Sequence, residues 1–161
     1  MSVRPAIRYC WPGLLWVVMA VAEPGSRTSF GPDPALVDGA RALRMRDFDS
    51  GIRLTLEGLA GVIDPKSRAA ALNNLCAGYV GARQYKLAIQ ACDASLEIRP
   101  LNWRAHSNRA LAYLGQGRFA EAREDVEAGL RVAPGASALQ EVAKRLQALE
   151  AAGNPATGKE L

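Results

Sequence analysis

The residues able to carry chemistry are few. His106 is the single histidine of the 161-residue chain, and the three cysteines are Cys10, Cys76 and Cys92. A histidine acts as a general base only where the fold sets it beside a nucleophile or a second titratable group. The chain contains no HExxH, no GxSxG, no phosphate-binding loop and no dinucleotide-binding glycine pattern. Its carboxylates are spread along polar helix faces without a defensible acid–base pair. Catalysis is therefore unsupported, and neither a cofactor nor a metal is expected. Cys76 and Cys92 lack the CxxC spacing of a thiol redox centre. Arg109 and Asp125 are the remaining candidates, because antiparallel helices would bring them level. Two readings are open: a partly buried ion pair, or an arginine that snorkels to solvent past its Ala and Leu neighbours.

The elements that would position these residues are helices. Apolar residues make up 49% of the chain and aromatics 6%, and the abundance of Ala, Leu and Arg favours helices packed through small side chains over a β-sandwich. Internal self-similarity is the main signal. At an offset of 34 residues, Tyr79 matches Tyr113, Tyr85 matches Phe119, Ala88 matches Ala122, Leu96 matches Leu130 and Pro100 matches Pro134. Each unit reads as two amphipathic helices broken near the middle, at Gly81–Gln84 and at Gly115 and Gly117, with the prolines stopping the second helix.

This pattern resembles the tetratricopeptide repeat (TPR), a 34-residue unit with small residues at positions 8, 20 and 27, an aromatic at 17 and proline at 32. Those positions hold Cys76, Ala88, Ser95, Tyr85 and Pro100 in one copy. In the next they hold Ala110, Ala122, Gly129, Phe119 and Pro134. A degenerate copy lies upstream: with Phe48 at position 17, Gly39, Gly51 and Gly58 take the small positions. Its aromatic is 37 residues from Tyr85, so about three extra residues are expected in its second helix or loop. Glycines inside helices cost roughly 1 kcal/mol each, which close helix packing would offset. Asp33-Pro34 and Asp64-Pro65 read as N-caps followed by first-turn prolines.

The resemblance implies an all-α fold, a right-handed superhelical array of helix-turn-helix repeats with about three units and a C-terminal capping helix. The repeat domain spans 33–151: a degenerate repeat at 33–65, repeats at 69–102 and 103–136, and a capping helix at 137–151 opened by a Ser137–Gln140 capping box. A disordered tail would follow at 152–161. His106 falls where the family usually buries an aromatic and so reads as structural.

In this family the first helices of successive repeats line a concave groove. Carried onto this chain, the groove residues are Leu36, Ala40 and Leu43, then Asn73, Asn74 and Ala77, then Arg104, Ser107, Asn108 and Leu111. Amides beside an arginine suit an extended peptide, since they donate to and accept from its backbone while Arg104 meets a carboxylate. Asn74 and Arg104 fit the pattern by which some members clamp a C-terminal carboxylate, whereas Leu36, Ala40 and Asn108 depart from it.

The amino terminus reads as an address. Arg4 and Arg8 precede a wholly apolar run, Leu14–Ala22, that ends in Ala20-Val21-Ala22, a small-x-small cleavage pattern. The run is too short for the roughly 20 residues of a membrane span, so no stable membrane insertion is expected after cleavage behind Ala22. A flexible lead-in, 23–32, would follow. The expected location is periplasmic or secreted, and the chain is read as of bacterial type. Without Arg4 and Arg8 the net charge of +4 falls to +2, and no basic stripe interleaved with aromatics argues for nucleic acid. Removal of Cys10 leaves Cys76 and Cys92 in an oxidising compartment, so a disulfide between them is a candidate. Packed helices about 8–10 Å apart work against it, because a bridge needs Cα atoms within about 6.8 Å. The function expected is a non-catalytic interaction module or scaffold of the cell envelope that binds a protein or peptide. A redox-responsive protein acting through Cys76 and Cys92, and a self-assembling structural protein, are the alternatives.

Overall fold

Two Asp-Pro steps set the helix starts of the first half. Asp33 accepts a hydrogen bond from the Ala35 amide (2.8 Å) and Asp64 one from the Ser67 amide (2.7 Å), and a proline follows each cap where no N–H is needed. The computed structural model describes residues 33–62 and 64–153, and among them every regular element is helical. The helices are α1 (Pro34–Arg44), α2 (Phe48–Leu59), α3 (Pro65–Gly81), α4 (Tyr85–Ile98), α5 (Trp103–Gly115), α6 (Phe119–Val132) and α7 (Ser137–Gly153). Consecutive helices pack pairwise, α1 with α2, α3 with α4 and α5 with α6, and α7 closes against α5 and α6. This is an all-α helix-turn-helix array. The segments read as signal peptide and lead-in, and the tail beyond Gly153, lie outside the described residues.

Small side chains form the contact layer. Ala69, Ala88, Ala105, Ala110, Ala112 and Ala122 are fully buried, with Cys76, Cys92, Leu75 and Leu96 packed among them. The same physics is carried further in the first pair, where glycines replace alanines. A Cβ on Gly39 would stand 2.6 Å from Thr55 Oγ1, one on Gly51 2.4 Å from Leu43 Cδ2, and one on Gly58 2.7 Å from Leu36 Cγ. The helices approach so closely that no methyl fits. Thr55 is sealed inside, its hydroxyl donating to the Gly51 carbonyl at 2.7 Å.

Adjacent units are joined by a repeated step. The Phe48 ring lies against Gly81 and the Tyr85 ring against Gly115, each where a Cβ would overlap the ring. The aromatic that opens one second helix thus seats on the last turn of the next first helix.

Three local expectations are corrected. The extra residues upstream of Tyr85 do not lengthen α2, which has 12 residues against 14 in α4 and α6. They extend the start of α3, which has 17 residues against 13 in α5, because the Asp64 cap fixes helix initiation a turn earlier. The Ser137–Gln140 capping box does not form. Ser137 is already helical; the Gln140 amide bonds to the Ala136 carbonyl, and its side chain donates to Pro134 O at 3.1 Å. The helix also runs to Gly153, two residues beyond its expected end. Leu139, Val142 and Leu146 carry its buried stripe.

Candidate functional site

Alternate helices α3, α5 and α7 present one surface, and two hollows open on it. The first, of about 190 Å³, is lined by Asn73 from α3, Trp103, Arg104, Ser107 and Asn108 from α5, and Ala138 from α7. Asn108 Nδ2 donates to Asn73 Oδ1 at 3.2 Å, linking two first helices across the repeat boundary. The Arg104 guanidinium lies 4.4 Å from the Trp103 ring centroid, a cation–π contact that limits its freedom. Behind this wall, Asn102 Nδ2 donates to Ser95 Oγ and Ser95 Oγ donates to the Ala69 carbonyl (3.3 and 2.9 Å), fixing the α4–α5 turn onto α3. The hollow therefore offers amides, a hydroxyl and one oriented cation on a rigid floor.

The structure brings Asn73, Arg104, Ser107 and Asn108 together, as the family pattern implied. Asn74 lies outside this hollow. Leu36 and Leu43 also lie outside this hollow. Both pack onto the glycines of α2, and Leu43 also reaches Gly78 of α3, while each stays half-buried. Glycine at 51 and 58 draws the α2 backbone inward, and the leucines occupy the resulting seam.

The second hollow, of about 420 Å³, was not read from the sequence. Arg46, Arg83 and Arg145 ring it, above Tyr85, Val80 and Leu111. Arg46 and Arg83 both have positive φ, 64° and 59°, and the equivalent turn residue of the next unit is Gly117 at 73°. Left-handed backbone costs a non-glycine residue roughly 1–2 kcal/mol. The signal was present: each of these residues stands two before the aromatic that opens the second helix, and two of the three turns carry arginine where glycine is the easy choice.

A charged network lies between α5 and α6. Arg109 Nε donates to Asp125 Oδ2 and Nη2 to Asp125 Oδ1, both at 2.7 Å, while Nη1 reaches Asp93 on α4. His106 joins through Nδ1 to Asp125 Oδ1 (2.8 Å) and Nε2 to the Pro100 carbonyl (3.0 Å). Burial works to raise the Asp125 pKa, but the hydrogen bonds from Arg109 and His106 outweigh it and hold the carboxyl below the usual range. The Asp125 bonds push Arg109 upward despite its burial, and burial raises Tyr113 beside them. Of the two readings of Arg109, the ion pair is the one formed. A hollow of about 450 Å³ opens over this network, yet its central charges are satisfied by one another.

Cys76 and Cys92 are joined in a disulfide with Cα atoms 5.3 Å apart. The expected obstacle is removed by Ala88 and Ala91, which let α3 and α4 approach closely. Both half-cystines are completely buried, a setting that shields the bond from thiolate attack. Among the described residues no cluster of His, Cys, Asp and Glu is arranged to hold a metal ion, and no helix is long and apolar enough to cross a membrane.

The geometry defines a helical repeat protein with an open face along its first helices. Residues 103–136 match the family model described as Tetratricopeptide repeat, and the array has the fold of TPR domains. By sequence, no curated protein matches the chain. Among solved structures, a TPR-like protein (ct2138) from Chlorobium tepidum is 20% identical with a TM-score of 0.64, covering 72% of this chain and 92% of that one. The first TPR of Spaghetti (RPAP3), bound to HSP90 peptide SRMEEVD, is 22% identical with a TM-score of 0.62, covering 72% and 93%. The second TPR domain of human RPAP3, in complex with HSP70 peptide SGPTIEEVD, is 18% identical with a TM-score of 0.60, covering 73% and 98%. These likenesses show the fold.

Proposed function

We propose that this chain is a non-catalytic interaction module whose α3–α5–α7 face binds an extended segment of a protein or peptide partner. The observation that carries this reading is the Asn73–Asn108–Arg104 constellation: paired amides spanning two repeats, with a guanidinium pinned on Trp103. Such groups can satisfy the backbone N–H and C=O of an extended strand, which supplies affinity with little demand on sequence. Two neighbours of like fold hold chaperone peptides, which supports peptide binding as the use of this architecture while naming no partner here.

The proposed setting is the cell envelope, reached by export. It is supported by the Arg4/Arg8 and Leu14–Ala22 layout and by a buried disulfide, a bond that persists in oxidising compartments. The test is the triple variant Asn73→Ala, Asn74→Ala and Arg104→Ala, with folding verified by circular dichroism. It is expected to lose the partner that the wild-type protein co-purifies from the envelope fraction. Undiminished capture by the folded variant would place binding elsewhere.

A further inference from the structure

The three arginines of the second hollow lie on two different kinds of element. Arg46 and Arg83 sit in equivalent interhelix turns, and Arg145 comes from the middle of α7. Among the described residues, none of the three is within salt-bridge distance of a carboxylate, as is also true of Arg44, Arg68, Arg99, Arg104 and Arg131; what sets these three apart is that they line one hollow. Three like charges around one hollow repel one another; Arg46 has an aromatic neighbour, its guanidinium lying 5.9 Å from the Phe48 ring centroid, but no anion offsets the repulsion among the described residues. Two of them also occupy left-handed backbone that the third unit fills with glycine at Gly117. Strain and repulsion thus coincide at one place, beside the Tyr85–Gly115 step that joins the units.

We infer that Arg46, Arg83 and Arg145 form an oxyanion subsite that seats the carboxylate of an Asp or Glu side chain in the bound segment. The inference rests on the peptide-binding reading above, and it adds a chemical requirement on the partner. Guanidinium forks match a carboxylate bidentately. Val80, Leu111 and the face of Tyr85 supply apolar wall for the methylenes behind it. A carboxylate is the oxyanion an unmodified segment carries, whereas a phosphate would need a prior modification. Both hollows draw on α3, α5 and α7 or the turns beside them, so one extended segment can lie along the amides of the first and place an acidic side chain in the second.

The test uses the full chain, isotope-labelled, titrated with sodium acetate and separately with sodium phosphate against sodium chloride of equal ionic strength. Acetate is expected to shift the Arg46 and Arg83 amide resonances and the Nε–H resonances of all three arginines to saturation. The variants Arg46→Gly with Arg83→Gly, whose backbone suits the turn, and Arg145→Gln alone should abolish saturation while the rest of the spectrum stays folded. Shifts with phosphate only would overturn the carboxylate assignment, and no saturable shift with either anion would overturn the subsite. The variant Asn73→Ala, Asn74→Ala, Arg104→Ala is expected to leave the acetate response intact. A normal acetate response in a protein whose partner binding ignores that variant would therefore fault the groove reading alone. Loss of the response with groove-dependent capture retained would fault the subsite alone.

Discussion

Arg109 and Asp125 meet fork to fork across the α5–α6 pair, each carboxylate oxygen accepting one guanidinium N–H at 2.7 Å. Asp125 is 3% exposed, so its charge depends on these donors and on His106. Removing one member of such a pair leaves a buried charge without its partner, at a cost of about 3–5 kcal/mol. Arg109→Leu is expected to lose stability of that order in urea denaturation. Adding Asp125→Leu should recover much of it, because the stranded carboxylate goes too. Additive losses in the double-mutant cycle would show that the two residues are not coupled.

The same carboxylate makes stability fall in acid. Its folded-state pKa is held below the unfolded value near 3.8, so the unfolded chain takes up the proton first. The contribution is complete above that value and is lost as pH drops below about 4 through the folded pKa. The urea midpoint of the wild type should therefore fall between pH 5 and pH 3 more steeply than that of the Arg109→Leu/Asp125→Leu variant. Parallel pH profiles would remove Asp125 as the cause.

The disulfide closes a loop with a sequence separation of 16, which in the chain-entropy model corresponds to about 3 kcal/mol. Reduction under denaturing conditions, followed by refolding with reductant present, should lower the urea midpoint by an equivalent amount. The mass of the unreduced, unfolded protein is expected to be two hydrogens below that of the reduced form. Alkylation of both thiols without reductant would show that the bond is not made.

Glycine replacements separate packing from helix propensity. Gly39→Ala gains propensity but drives a methyl toward Thr55 Oγ1 and the Thr55 backbone nitrogen, 2.6 and 3.0 Å away. The nitrogen is fixed by α2, and moving the hydroxyl would break its bond to the Gly51 carbonyl. Overpacking of this kind costs about 1–3 kcal/mol, so a lower melting temperature is expected. Gly61→Ala, whose new methyl would meet nothing nearer than 3.9 Å, should be neutral or stabilising. A stabilised Gly39→Ala protein would contradict the close approach of α1 and α2.

Export has a direct chemical readout. Protein recovered from the native host should begin at Glu23, as N-terminal sequencing would show. An intact Met1 form in the cytosol would end that proposal.

The repeat register was legible because it rests on periodic demands: a small residue where helices cross, an aromatic at each turn, proline after each pair. Asn73, Arg104, Ser107 and Asn108 followed from it, since their helix face is set by the period alone. The register could also level Arg109 with Asp125, but the third contact, to Asp93, needed the α4–α5 packing angle. Leu36 and Leu43 come from the same register. Their seating against Gly58 and Gly51 was not legible, because it depends on how closely α1 and α2 approach. The arginine hollow was hidden because its members are far apart in sequence and Arg145 belongs to no repeated pair. Its local signal, arginine at a turn that favours glycine, was visible and went unread.

The crosslink also governs how the array comes apart. In a stack where each unit contacts its neighbours, opening starts at the ends and travels inward. Only the middle unit, α3 with α4, is tied by a covalent bond. Amide hydrogen exchange should thus be slowest there and faster toward α1 and α7. Fraying from the carboxyl end removes Ala138 and Arg145 first, so the partner-binding face would open from one side like a hinge, with Asn73 staying on the anchored leaf.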